Sequence, residues 1–165
     1  MSNYGYPPFD YAAPDPSTTT RSAPPQEHDF QTGEFELTMT QPPWLEAGTA
    51  ARFYITFEHT KDGSIQPTGT AVSILDGNGA SWTATGAASI TPGTVTQDPS
   101  GSNKYYSSIQ FGSGVPPGDY IAQWTGSYTP IGTSTALKIT GRWAFKVQVT
   151  KAPSRYYFWD TAKTT

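Results

Sequence analysis

The sequence predicts an all-β protein folded as an antiparallel β-sandwich. Apolar residues alternate with polar ones through the middle of the chain, which is the period of a half-buried strand. Clusters of Gly, Pro, Asn and Asp separate those runs at intervals suited to turns. No segment keeps a helical period for more than about one turn.

The strands follow in order. Phe35, Leu37 and Met39 alternate with polar neighbours, as do Phe53, Ile55 and Phe57. "AVSIL" (71–75) is a short β-branched run. Residues 85–103 hold the weakest period, with one short strand expected near Thr94–Gln97 in a long connection. Tyr105, Ile109 and Phe111 share one face of "YYSSIQF". Tyr120, Ala122 and Trp124 alternate, and so do Trp143, Phe145, Val147 and Val149. The turns fall at Asp62-Gly63, Asp76-Gly77-Asn78-Gly79, Asp98-Pro99-Ser100-Gly101 and Pro116-Pro117-Gly118-Asp119. These signals place about seven or eight strands in residues 31–150.

"VPPGDYIAQW" (115–124) narrows the type of sandwich. A Gly-Asp-Tyr turn leads into an alternating strand. This resembles the tyrosine corner of immunoglobulin-like sandwiches, in which the hydroxyl bonds back to the preceding connection. Tyr120 is the corner residue on this reading; a plain core tyrosine is the alternative. The chain has no cysteine, so a disulfide-pinned antibody-type domain is excluded, as are thiol nucleophiles and Cys-based zinc sites.

Two terminal segments differ in composition from the sandwich. Residues 1–30 hold six prolines and the run Ser17-Thr18-Thr19-Thr20, and read as an extended arm unable to join a ladder. Tyr4, Tyr6, Phe9, Tyr11 and Phe30 stud it, whereas disordered linkers are poor in aromatics. Residues 151–165 form a second arm containing "SRYYFWD". Tyr156, Tyr157, Phe158 and Trp159 follow Pro153, beyond the last strand. Four aromatic side chains have about 600–1,000 Å² to bury. That exceeds the few hundred Å² of apolar patch usual on a monomer. Added to a sheet edge, Tyr156 and Phe158 would face one way and Tyr157 and Trp159 the other. One pair would still need a partner.

Charge and motifs exclude several functions. The net charge is −3, with −3 in residues 1–30, −2 in 31–150 and +2 in 151–165. The opposite signs of the two ends suit head-to-tail contact, although a solvated surface accounts for them equally. Ten dispersed bases form no nucleic-acid patch. The sequence pI near 5.2 points the same way. The chain opens without a basic-then-apolar signal, and no run approaches the ~18 apolar residues of a membrane span. First use in the cytoplasm is expected. Glu27-His28-Asp29 on the arm makes a poor preorganised metal site. His59 can pair with Asp62, but no nucleophile is marked beside it. No Gly-x-Ser-x-Gly elbow, phosphate loop or His-Glu-x-x-His motif occurs. Asp76-Gly77-Asn78-Gly79 lacks calcium-loop spacing and reads as a hairpin turn. A non-enzymatic protein without metal or cofactor is expected.

The segments "EAGTAARFYITFEHTKDGSIQPTGTAVSILDGNG" (46–79), "GDYIAQWTGSYT" (118–129) and "GRWAFKVQV" (141–149) resemble the immunoglobulin-like domain of tailed-bacteriophage virion structural proteins. The matching features are structural rather than catalytic, and carry over no functional residues. The resemblance implies a virion component from the head–tail neck, the capsid surface or the tail, assembled in the host cytoplasm. A neck subunit is the leading expectation. It would form a homo-oligomeric ring or array with other virion proteins, through Tyr4, Tyr6, Phe9 and Tyr11 at one end and Tyr156–Trp159 at the other. The rival reading is a carbohydrate-binding module that stacks sugars on Trp44, Trp82 or Trp159.

Overall fold

The computed structural model describes residues 21–149. Its strands are β1 (Gln26–Thr32), β2 (Phe35–Gln41), β3 (Trp44–Glu46), β4 (Ala50–His59), β5 (Gly63–Ser64), β6 (Thr68–Asp76), β7 (Ile90–Pro92), β8 (Thr96–Gln97), β9 (Lys104–Phe111), β10 (Gly118–Tyr128) and β11 (Leu137–Gln148). They form two sheets. One runs β1-β2-β4-β9-β7, with β5 paired to β4 and β8 to β9. The other runs β3-β11-β10-β6. Among the described residues no helix is long and apolar enough to cross a membrane.

The strand order is that of an immunoglobulin-like sandwich. β2, β4, β9 and β7 take the A, B, E and D places, and β6, β10 and β11 the C, F and G places. β3 continues the first strand on the opposite sheet, where it pairs parallel with β11 while the other long pairs are antiparallel. The inward faces are those the alternation marked. Phe35, Leu37, Met39, Phe53, Ile55, Phe57, Tyr105, Ile109, Phe111, Tyr120, Ala122, Trp124, Phe145 and Val147 are all buried in one core. Its centre is aromatic. Phe53 lies edge-on to Phe145 at 5.2 Å, and Phe111 meets the same ring at 5.7 Å. Gly141 leaves the space that Leu37 fills, because a Cβ there would stand 2.7 Å from Leu37 Cδ1. Trp143 packs half-buried at the rim rather than within the core. Val149 is 51% exposed, because β11 ends one residue before it.

The tyrosine corner is present. Tyr120 is 4% exposed, and its hydroxyl donates to the Pro116 carbonyl at 2.8 Å. The Asp76–Gly79 turn closes a short hairpin. The Asp76 carboxylate accepts the Asn78 and Ala80 N–H groups, and the returning chain gives the Trp82 N–H to Ile74. In residues 85–103 the expected short strand is β8, and β7 is an additional one.

The boundary drawn at residue 30 is corrected: it falls inside β1. All seven β1 residues pair with β2, from Gln26 opposite Gln41 to Thr32 opposite Phe35. The last proline of the first 30 residues is Pro25, so every β1 residue keeps its N–H and can join a ladder. Gly33, at φ +60°, supplies the positive φ that a two-residue II′ hairpin loop needs at its first position. The same register continues beyond the strands. The Ala23 N–H donates to the Trp44 carbonyl, and Ser22 bridges Leu45. Pro24-Pro25 therefore stands opposite Pro42-Pro43, where both strands leave one sheet for the other.

Candidate functional site

The eight residues expected at an interface, Tyr4, Tyr6, Phe9, Tyr11, Tyr156, Tyr157, Phe158 and Trp159, lie outside the described residues. The positions from which their segments depart are described. Leu45 on β3 has Ser22 as its bridge partner on one side and Val147 of β11 as its partner on the other. With strands spaced about 4.8 Å apart, the two departing chains start roughly 10 Å from each other. Both depart at the same end of the four-stranded sheet, Ser22 outside its edge strand β3 and β11 on the inner side of β3.

The other notable edge is β1. It is the terminal strand of its sheet, and among the described residues nothing pairs along its outer side. Its two faces differ in chemistry. His28 and Phe30 lie opposite Met39 and Leu37, on the core side. The His28 ring sits 4.8 Å from Phe30 and 5.4 Å from Trp143. Glu27, Asp29 and Gln31 lie opposite Thr40, Thr38 and Glu36, on the outer face. Asp29 accepts a 2.6 Å hydrogen bond from the Thr38 hydroxyl. Glu27, His28 and Asp29 thus stand on alternate faces of a strand. The alternation sends the imidazole away from both carboxylates.

A side-chain cluster joins two turns at one end of the sandwich. His59 closes β4 and is 3% exposed. Its Nδ1 accepts the Asp62 N–H at 3.2 Å and lies 3.2 Å from Asp62 Oδ2. The same Oδ2 accepts the Ile131 N–H at 3.0 Å and the Tyr128 hydroxyl at 3.1 Å. The Ile131 amide bond foremost, with help from Tyr128 and His59, holds the Asp62 carboxyl below the usual carboxylate range. Burial, with the same carboxylate, pushes the Tyr128 phenol up. Among the described residues His59 Nε2 has no hydrogen-bond partner; Glu34 Oε2 is 3.8 Å away. An open groove of about 290 Å³ lies here, lined by Glu34, His59, Lys61, Asp62 and the loop carrying Ile131. The bonds tie the β4–β5 turn to the β10–β11 loop, which makes the cluster a latch between loops. The His59–Asp62 pairing was legible in the sequence, being three residues apart; Tyr128 and Ile131 were not.

Of the aromatic positions considered for sugar stacking, Trp82 is engaged. The Trp82 indole N–H donates to the Ala88 carbonyl at 2.9 Å, and the ring lies edge-on to Tyr120 at 5.4 Å. Trp44 is half-buried on β3, and Trp159 is outside the described residues. On the outer face of the larger sheet, Tyr54 and Tyr106 pair across β4 and β9 at 5.6 Å. Each has a cation over its ring, Lys104 on Tyr54 at 4.8 Å and Arg52 on Tyr106 at 4.7 Å. Neither is a bare stacking face. Among the described residues no cluster of His, Asp and Glu could hold a metal ion.

Among solved structures, a DUF4785 family protein from Legionella pneumophila is similar in fold. The TM-score is 0.51 at 10% identity, covering 71% of this chain and 29% of that one. This chain therefore spans less than a third of that protein's length, and the likeness bears on the sandwich alone. The chain matches no family model and no curated protein.

Proposed function

We propose that the protein is a non-enzymatic structural subunit of a tailed-bacteriophage virion, at the neck between head and tail, which assembles through its two terminal segments. The observation that carries assembly is the shared exit. Ser22 and Val147 flank Leu45, so the segment carrying Tyr4, Tyr6, Phe9 and Tyr11 and the segment carrying Tyr156–Trp159 are attached at one end of the sandwich, about two strand spacings apart. Linked contacts raise the effective concentration of a second docking event once the first has formed. Two aromatic segments tethered side by side act on a neighbour in that way. The virion setting rests on the resemblance of residues 46–79, 118–129 and 141–149. A capsid decoration or tail subunit shares the same design and differs in copy number.

The test is the mass in solution, by light scattering, of the full chain and of residues 22–149, a boundary that keeps β1 and the whole buried core. The full chain is expected to form a closed oligomer and the trimmed body a monomer. Equal masses for the two would refute assembly through the ends. Copy number per virion then separates a ring at the neck from a decoration array.

A further inference from the structure

We propose that the outer edge of β1 is the docking site for residues 154–160 of a second copy, which add to the larger sheet as one more strand. This rests on the assembly reading above and names its acceptor surface.

Three observations carry it. First, β1 is a template for pairing. Its seven residues form an unbroken ladder with β2, with no proline and no register shift, and its other side is unpaired among the described residues. Second, the edge and the segment are two-faced in matching ways. An extended "SRYYFWD" shows Tyr156 and Phe158 on one face and Arg155, Tyr157 and Trp159 on the other. The core-side rim of β1 is aromatic, formed by His28 and Phe30 with Trp143 beside them. The outer side carries Glu27 and Asp29, and Glu36 lies further along the same face of β2, opposite Gln31. Tyr156 and Phe158 extend the aromatic rim, and Arg155 then falls on the acidic side. Main-chain bonds supply affinity in such strand addition, and alternate side chains supply specificity.

Third, the direction of exit favours a neighbour over the same chain. β11 runs parallel to β3, and Val147 is level with Ser22 through Leu45. β1 begins at Gln26, further along the ladder in the direction from which β11 comes. β11 therefore ends heading away from its own β1. A second copy's β1 is a poorer occupant, because that pairing brings Glu27 and Asp29 of the two copies together.

The chain lacks cysteine, so disulfide trapping reports the contact without background from native thiols. Full-length chains carrying His28→Cys are mixed with full-length chains carrying Phe158→Cys and oxidised. A control mixture uses Ala71→Cys, an exposed position on β6 at the edge of the other sheet. Coupling between 28 and 158 is expected to run about tenfold faster than between 71 and 158 or more, because docking holds the thiols at an effective concentration of order millimolar. Asp29→Lys is expected to slow that coupling, and Arg155→Glu in the partner to restore it. His28 and Asp29 are exposed, and a thermal melt verifies the fold of each variant. Arm-dependent assembly by light scattering, with 158 coupling no faster to 28 than to 71, overturns this docking site and leaves the assembly reading standing. A monomeric full chain, with 28 and 158 coupling no faster than 71 and 158, overturns both.

Discussion

Replacing Tyr120 by Phe isolates one hydrogen bond. The ring stays, stacked on Phe145 at 6.1 Å and edge-on to Trp82 at 5.4 Å. Only the hydroxyl's bond to the Pro116 carbonyl at 2.8 Å is removed. Pro116 is exposed, so its carbonyl can turn to water instead of remaining a buried orphan. The loss is therefore the net value of one neutral bond, about 0.5–1.5 kcal/mol. For a body of roughly 130 residues the unfolding entropy makes 1 kcal/mol worth about 4 °C, so Tm should fall by about 2–6 °C. Tyr120→Ala also empties the ring's place and should cost about 3–5 kcal/mol. Calorimetry at neutral pH, with urea melts to verify an unchanged slope, measures both. Burial, with a smaller effect of Asp76, raises the Tyr120 phenol above its usual value. Stability from the neutral hydroxyl is thus complete below about pH 10. It is lost as pH rises through the higher folded-state pKa, and the gap between wild type and Tyr120→Phe should narrow there. A Tyr120→Phe protein with unchanged Tm would refute the corner as a stabilising bond. One as unstable as Tyr120→Ala would refute the claim that the ring packs independently of it.

Two other perturbations test the packing and the latch. Gly141→Val places a branched side chain where Leu37 Cδ1 already lies 2.7 Å from an added Cβ, and should cost about 1–3 kcal/mol by overpacking. Adding Leu37→Ala should recover part of the loss, and a Gly141→Val Tm equal to wild type would mean that Leu37 moves aside freely. Asp62→Ala should lower Tm at neutral pH by freeing the β10–β11 loop. Because the Asp62 carboxyl is depressed in the folded protein, its contribution is present above the ordinary carboxylate pKa of about 3.9 and disappears as pH falls through the folded value. Wild-type and Asp62→Ala melting curves should converge in acid; a gap that persists there would show that the carboxylate is not the group responsible.

Inward-facing residues were legible because a strand puts alternate side chains on opposite faces, so Phe53, Ile55 and Phe57 declare one face without knowledge of their partners. Tyr120 was legible for a similar local reason, since the hydroxyl's acceptor lies only four residues upstream. β1 was hidden by composition: six prolines in the first 30 residues suggest an arm, yet all of them precede Gln26. A pattern that could have revealed it is the placement of Pro24-Pro25 and Pro42-Pro43 at equal distances either side of Gly33-Glu34, as a hairpin requires. The latch was half legible. His59 and Asp62 are neighbours in sequence, whereas Tyr128 reaches Asp62 across 66 residues and no local pattern encodes that pairing.

The paired prolines explain how one hairpin serves both sheets. A ladder needs N–H donors, and four prolines facing each other remove them from both strands at the same level. Both strands can bend there together, so 22–23 and 44–46 reach the smaller sheet while 26–32 and 35–41 remain on the larger. Other bonds fasten the crossing. The Gln41 amide donates to the Trp143 carbonyl at 3.2 Å, and the Lys146 N–H donates to the Pro43 carbonyl at 3.0 Å. The bend fixes where the N-terminal segment departs. Without it, Ser22 would continue along the larger sheet, away from β11. With it, Ser22 ends beside β3, and both terminal segments are attached at the same end of the sandwich. The prolines that make the first thirty residues resemble a linker are thus also what brings the two ends of the sandwich together.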